Sequence, residues 1–171
     1  MSKSWTCSAA SSLGSTADMD VWRISKRKYK AAAFSGVGAD AVGGRWNPKG
    51  YRVVYASENA AVAAMETFVH VDPSLLPPMV LIHAELDVPD VEFFAYEDLP
   101  KNWRANPAPA SLKALGKDWL DRCETAALMV PSVVVAASYN ILLNPVHPDL
   151  QRLSVVSVEP FQFDKRMFSD S

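Results

Sequence analysis

Three residues in one short stretch, Arg45, Tyr55 and Glu66, carry side chains that can do chemistry together. An arginine fork matches the oxygens of an anionic group, and a tyrosine ring can stack on a planar one. A carboxylate can accept a hydrogen bond and stabilise a developing positive charge. The stretch begins at the Gly43-Gly44 pair, which lets a backbone approach a ligand closely. We expect the three side chains to meet in one pocket.

The place of Glu66 in its helix is unusual for a carboxylate. Ser57 is a good N-cap and predicts a helix over residues 58–69. Spacing of three and four residues places Glu66 on one face with apolar side chains, namely Val62, Met65 and Val69. Burying a carboxylate costs several kcal/mol unless it is bonded or paired. The position fits a functional carboxylate and, equally, a structural partner of an arginine or of His70.

The elements around this stretch predict a small α+β domain. Apolar and β-branched runs predict about six strands, at residues 21–24, 51–56, 79–86, 126–135, 139–143 and 153–158. A second helix is predicted over residues 111–123, whereas residues 31–40 have an irregular pattern. The strands cluster rather than alternate with helices, which indicates α+β and not a doubly wound sheet. Pro131 predicts a bulge or edge that turns Ser132 towards a pocket.

Composition limits the classes of function. The formal net charge is −2 with a pI near 5.9, so the basic face that nucleic-acid binding needs is not expected. No stretch is long and apolar enough to span a membrane. The two cysteines, Cys7 and Cys123, are expected to stay unpaired, which favours a cytoplasmic location. Residues 1–18 predict a flexible tail, and residues 19–171 one domain.

Several kinds of catalytic site do not fit the sequence. The three histidines share no ligand spacing, so no metal is expected. The GxSxG motif of many serine hydrolases is absent. A standard glycosidase needs two carboxylates flanking the bond, and only Glu66 lies among apolar neighbours on a helix face.

One glutamate, one arginine and one tyrosine suit the bond between ribose and nicotinamide in NAD. Nicotinamide is already cationic there, so it can leave without a general acid. Arg45 would hold the pyrophosphate, Tyr55 would stack on the nicotinamide, and Glu66 would stabilise the cationic ribose. NAD is then the substrate, and no separate cofactor is expected.

The order of short motifs over residues 20–158 resembles the RES domain, the toxin half of a family of bacterial toxin–antitoxin pairs. The resemblance is carried by residues 22–24, 43–47, 54–57, 66, 131–132 and 140–148. The arginine, glutamate and serine that name the family correspond to Arg45, Glu66 and Ser132. The resemblance implies an ADP-ribosyltransferase-like fold, with a mixed or antiparallel sheet and flanking helices, and an NAD-consuming activity. One departure is Ala136-Ala137-Ser138, where family members often have a proline and a glutamate.

The resemblance also implies partners and further site residues. The expected partner is an antitoxin with a DNA-binding helix-turn-helix part, whose other end blocks the pocket, and a homodimer within that complex is left open. Arg23 is expected to be a second phosphate contact, and Asn47 and Ser132 to orient ribose or neighbouring side chains. Ser57 and Asn144 complete the predicted substrate-binding set.

Three alternatives remain at this point. The acceptor of the ribosyl group is water or inorganic phosphate in the first, and a target protein in the second. The third is a non-catalytic module that binds a nucleotide or a partner. A carboxylate beside the ligand argues against the third, because it adds nothing to the binding of an anion.

Overall fold

The computed structural model describes residues 17–72 and 75–168, which form one mixed β-sheet with helices beside it. The strands are β1 (Ala17–Lys26), β2 (Val54–Ser57), β3 (Met79–Val88), β4 (Glu92–Phe93), β5 (Ala127–Pro131), β6 (Tyr139–Leu143) and β7 (Leu153–Phe161). The α-helices are α1 (Val37–Val42), α2 (Ala60–Phe68) and α3 (Ala110–Arg122). The α+β class predicted from the sequence is confirmed.

The strand order β4-β5-β6-β2-β1-β3-β7 places β2 between β1 and β6. Apart from the parallel β4–β5 pair, the described strands pair antiparallel. Ser57 lies opposite Trp22 on one side and Asn140 on the other. Residues directly opposite each other in a ladder point to the same face. We call the face that carries Trp22, Tyr55, Ser57 and Asn140 the site face.

Helices α2 and α3 both cover the site face. Ala63 of α2 packs with Ile24 and Met79 at the β1–β3 end. Leu112, Trp119 and Leu120 of α3 pack with residues of β5 and β6 at the other end, namely Leu128, Val130 and Leu142. Burial of these side chains is the main favourable contribution to the fold. The two helices therefore pack at opposite ends of the site face, α2 at the β1–β3 end and α3 at the β5–β6 end.

The structure differs from the prediction in the first helix of the site. Ser57 is the last residue of β2, and Asn59 is the N-cap, because its side chain accepts a hydrogen bond from the Val62 N–H at 2.9 Å. Met65 and Val69 are 36% and 51% exposed, so the predicted apolar stripe is wrong at these two positions. Relative to the predicted stripe, the helix is turned so that Val62 and Ala63 are its buried residues.

Other expectations are corrected or lie outside the described residues. Residues 37–40, at the end of the stretch predicted irregular, belong to α1, and β5 ends at Pro131. The first two residues of β1, at positions 17 and 18, were assigned to the tail, whose remainder lies outside the described residues. Cys123 is not a free thiol, contrary to the expectation of an unpaired cysteine, and Cys7 lies outside the described residues. Over the described ranges, no helix is long and apolar enough to cross a membrane.

A glycine sets how closely α3 approaches the loop before β2. A Cβ on Gly116 would lie 1.9 Å from the carbonyl oxygen of Trp46. That separation is far inside van der Waals contact, and the atom met is backbone, which cannot rotate away. Gly116 therefore lets α3 pack directly against the loop that carries Arg45.

We predict that Gly116→Ala lowers the free energy of unfolding by about 1–3 kcal/mol or more, because α3 must move off the loop. Urea denaturation measures this change. The matched control is Gly38→Ala in α1, where a Cβ would have nothing within 4 Å. That substitution should leave stability unchanged or raise it by about 0.5–1 kcal/mol. Equal stability of the two variants would contradict the proposed contact.

Candidate active site

The carboxylate of Glu66 is held by two hydrogen bonds at one oxygen. Ser132 Oγ and Asn140 Nδ2 each donate to Glu66 Oε1 at 2.6 Å. Among the residues that the structure describes, none donates to the second oxygen, Oε2. The alternative in which Glu66 pairs with His70 is not what the structure shows. The half-buried carboxylate is thus oriented by the bonds at Oε1.

The direction of the Ser132 hydroxyl is fixed by its neighbours. Ser132 follows Pro131 at the end of β5, and its Oγ accepts hydrogen bonds from the N–H groups of Val134 and Val135, at 3.1 and 2.9 Å. With its acceptor positions filled, the hydroxyl proton points to Glu66. Ser132 lies just beyond the last residue of β5 and contacts Glu66, and its predicted orientation towards a pocket stays a prediction. Ser132 therefore orients the carboxylate.

Asn140 was not among the predicted site residues, although it lies at the centre of the cluster. Its side chain donates to Glu66 and accepts a hydrogen bond from Ser57 Oγ at 2.8 Å. Ser57 is 3% exposed, so its hydroxyl is directed into the protein rather than towards a substrate. The alternation of β6 could indicate that Asn140 and Leu142 share a face, but not that this face lies under Glu66. That requires the pairing of β6 with β2.

Arg45 lies in the loop between α1 and β2 and is held there by backbone groups. Its Nη1 donates to the carbonyl oxygens of Trp103 and Ala105, at 2.9 and 3.2 Å. Burial lowers the pKa of the Arg45 guanidinium, and the negative charge of Glu66 is the largest effect that opposes this shift. No ion pair joins Arg45 to a described carboxylate within 4.0 Å. The remaining nitrogens of the fork can therefore meet an anionic ligand.

Tyr55 ties the loop that carries Arg45 to the sheet. Its hydroxyl accepts a hydrogen bond from the Trp46 N–H at 2.9 Å and donates to Asn47 Oδ1 at 2.8 Å. Burial raises the pKa of Tyr55 to about 12, so the phenol stays neutral at physiological pH. A Cβ on Gly44 would lie 2.4 Å from this hydroxyl, which explains the second glycine of the loop. Stacking of the Tyr55 ring on a ligand remains a prediction.

Asn47 is fully buried beneath this loop. Its amide nitrogen donates to the carbonyl oxygens of Ala39, Pro48 and Tyr51, at 3.0, 3.2 and 2.8 Å. Its oxygen accepts from Tyr55, and none of its surface is exposed. Of the two predicted roles, this geometry supports the orientation of neighbouring side chains rather than contact with ribose.

Arg23 does not join Arg45, contrary to the prediction of a second phosphate contact. Side chains alternate along β1, and Trp22 points to the site face because it lies opposite Ser57. Arg23 therefore points to the other face, where it lies directly opposite Ile82 of β3. Its Nη1 donates to the carbonyl oxygen of Tyr55, and burial lowers its pKa to about 10. Arg23 remains charged at neutral pH and ties β1 to β2.

Asn144 is also separated from the carboxylate. It lies four residues beyond Asn140, which is about 13 Å along an extended strand. Its side chain is fully buried, donates to Cys123 Sγ at 3.2 Å and accepts from the Val146 N–H at 3.2 Å. These contacts hold the turn after β6 against the end of α3. The predicted substrate contact is therefore corrected to a structural one.

A second polar group lies at the β1–β3 end of the site face. Ligand atoms of Asp20, His83 and Glu85 lie within 4.8 Å of one another, with His83 Nε2 and Asp20 Oδ1 at 2.6 Å. These are residue types that can bind a metal, although both carboxylates are exposed and His83 stacks on Trp22 with ring centroids 4.2 Å apart. Sequence spacing could not indicate this grouping, because its members come from two paired strands.

Two surface cavities, of about 460 and 530 Å³, lie elsewhere on the protein. One is lined by residues of β1, β5 and β6 and the connection after β3, and the other by residues 98–100 and the start of α3. Neither is lined by Arg45 or Glu66. Side-chain geometry, and not cavity size, distinguishes the carboxylate cluster.

The fold and these side chains define a small α+β protein in which the charge of an oriented carboxylate acts on a nearby arginine. The RES domain family matches residues 20–164 of this chain. Over 151 residues, the chain is 38% identical to "Toxin Res" of Yersinia enterocolitica, covering 87% of this chain and 99% of that protein. It is 39% identical over 153 residues to "Prs ADP-ribosylating toxin" of a Sphingobium strain, covering 85% and 94%.

The chain belongs to the RES domain family, which confirms the resemblance inferred from the motifs. A likeness to a solved structure supports the fold. The toxin of the M. tuberculosis MbcT–MbcA toxin–antitoxin complex superposes with a TM-score of 0.67 at 16% identity, and 85% of each chain is covered.

We predict that Tyr55→Phe lowers the free energy of unfolding by about 1–3 kcal/mol, because the buried Trp46 N–H and Asn47 Oδ1 lose their partner. Urea denaturation is the measurement. Tyr29→Phe is the control, since Tyr29 is 54% exposed. A Tyr55→Phe protein as stable as this control would show that the hydroxyl does not hold the loop.

Proposed function

We propose that this protein is a toxin of a toxin–antitoxin system that cleaves the bond between nicotinamide and ribose in NAD. The observation that carries the proposal is the Glu66 carboxylate, held at Oε1 by Ser132 and Asn140 and open at Oε2, across from the Arg45 fork. A site for an anion alone would not place a carboxylate there, since it would repel the ligand. A ligand that is anionic at one end and becomes cationic at the other uses both groups.

The proposed reaction needs little acid–base chemistry from the protein. Arg45 binds the pyrophosphate through the fork nitrogens that do not face Trp103 and Ala105. Glu66 Oε2 accepts a hydrogen bond from a ribose hydroxyl and stabilises the positive charge that develops on the sugar. The bond from C1′ to the ring nitrogen breaks, and its electron pair neutralises the nicotinamide. Water or inorganic phosphate then bonds to C1′, and the proton of water goes to solvent.

The partner and location of the protein follow from this function. The match to this chain covers nearly the whole length of two curated relatives, and both are toxins by name. The structural neighbour comes from a complex with an antitoxin. We propose that an antitoxin neutralises this protein by covering the Arg45–Glu66 cleft. Since NAD is the substrate, the protein would act in the cytoplasm. The net charge of −2 gives no support for direct nucleic-acid binding.

We predict that Glu66→Gln reduces nicotinamide release by at least about 100-fold while the fold is kept. The amide oxygen of glutamine can still accept from Ser132 and Asn140, so its NH₂ group must take the place of Oε2. That group carries no negative charge and cannot accept from a ribose hydroxyl. Proton NMR of NAD with purified, antitoxin-free protein measures the release, in buffers with and without phosphate.

The control is Glu159→Gln, which changes an exposed carboxylate of β7 and should leave the rate unchanged. If folded wild-type protein releases no nicotinamide with either acceptor, the proposed function is wrong. If Glu66→Gln keeps the wild-type rate, the assigned role of the carboxylate is wrong.

A second candidate function changes only the acceptor. The relative from Sphingobium is named for ADP-ribosylation, and it is 39% identical over 153 residues. In this reaction a nucleophile of a target protein, rather than water or phosphate, bonds to C1′. NAD labelled in the adenosine part separates the two: label on a protein band in cell extract supports transfer, and label only in small products supports cleavage. Binding of NAD with no turnover would instead indicate a non-catalytic module.

A further inference from the structure

Asn140 and Ser57 form a chain of polar contacts that ends at the carboxylate. Ser57 Oγ lies 2.8 Å from Asn140 Oδ1, and Asn140 Nδ2 lies 2.6 Å from Glu66 Oε1. The three residues come from β2, β6 and α2, so their hydrogen bonds link these three elements. Ser57 and Asn140 are also direct partners in the β2–β6 ladder, which fixes their separation.

The orientation of the Asn140 amide is determined by what its two ends meet. Ser132 directs its only proton to Glu66 Oε1, so that oxygen is an acceptor. A second group at 2.6 Å from the same oxygen must therefore be a donor, which the amide nitrogen can be and the amide oxygen cannot. The amide oxygen is then left facing Ser57, whose hydroxyl donates to it. Ser57 thus stabilises the one amide orientation that holds Glu66.

The hydrogen bond from Asn140 to Glu66 also bears on the attraction between Glu66 and Arg45. Glu66 and Arg45 attract each other, since the carboxylate raises the pKa of the guanidinium against the effect of burial. Opposite charges on flexible side chains attract each other, and hydrogen bonds to other partners can hold them apart. Here Ser132 and Asn140 hold the carboxylate, and the carbonyls of Trp103 and Ala105 hold the guanidinium.

We propose that Asn140, kept in its donor orientation by Ser57, is a positioning residue that prevents Glu66 from closing onto Arg45 and keeps Oε2 available to the ribose. This inference rests on the proposed function for its substrate. It also changes the predicted role of Ser57, from a substrate contact to a support of Asn140. Neither residue needs to touch the ligand.

The test is the isosteric variant Asn140→Asp, with kinetics and a crystal structure as separate readouts. The substituted carboxylate still accepts from Ser57 but repels Glu66 instead of donating to it. We expect kcat for nicotinamide release to fall at least about tenfold. KM should rise as well, because a Glu66 carboxylate that closes onto Arg45 competes with the pyrophosphate for the guanidinium fork. The crystal structure should show the Glu66 carboxylate displaced towards Arg45.

Ser57→Ala is the second variant, and it introduces no charge. It should lower kcat, but by less than Asn140→Asp does. The Asn140 amide can still donate to Glu66, although its orientation is no longer stabilised by Ser57. Gln151→Glu makes the same amide-to-acid change at an exposed position and should match wild type. A urea midpoint for each variant shows that the protein is folded.

The outcomes separate the two proposals. Wild-type kcat in folded Asn140→Asp, with Glu66→Gln inactive, overturns the positioning role and leaves the proposed function standing. If the wild-type protein does not cleave NAD, the proposed function fails, and the crystal structure decides the positioning role. A Glu66 carboxylate that stays in place in Asn140→Asp overturns it.

Discussion

The carboxylate of Glu66 lies close enough to Arg45 to oppose the lowering of the pKa of its guanidinium, yet the two do not form an ion pair. An ion pair would be the simplest way to satisfy two half-buried charges, and it would also close the cleft. The protein instead gives each charge neutral hydrogen-bonding partners of its own. Backbone carbonyls hold the cation, and a serine and an asparagine hold the anion. The separation of these charges is the constraint that the surrounding structure serves.

The two halves of this arrangement are anchored to different parts of the fold. The two hydrogen-bonding partners of the carboxylate lie on β6 and just after β5, so the sheet positions them. The loop that carries Arg45 is fixed from below by Tyr55 and from the side by α3, which Gly116 allows to approach Trp46. Rigid elements hold a site more accurately than free loops do. The positions of the two charged groups therefore depend on the packing of α2 and α3 on one sheet.

Local patterns in the sequence were sufficient for the class of fold and for the main carboxylate. Helix periodicity placed Glu66 on a face directed towards the core, and Pro131 in a strand predicted that Ser132 turns towards a pocket, because both signals act within a few residues. The face of a strand is different, since it depends on which strands pair and in which register. Arg23 was predicted to contact phosphate, and the face to which it points could not be predicted for that reason. Asn140 was missed for the same reason, because only the pairing of β2 with β6 brings it under α2.

Asn47 and Asn144 show a further limit of prediction from residue type. Both are asparagines near glycine or proline turns, where a polar side chain can bind a ligand or satisfy the backbone. In the folded protein both are fully buried and bonded to backbone groups of their own loops. Asn140 has the same side chain, but it lies within a strand, where the ladder already satisfies the backbone. Its amide is consequently free to bond another side chain, which is why this asparagine, and not the two in turns, supports the carboxylate.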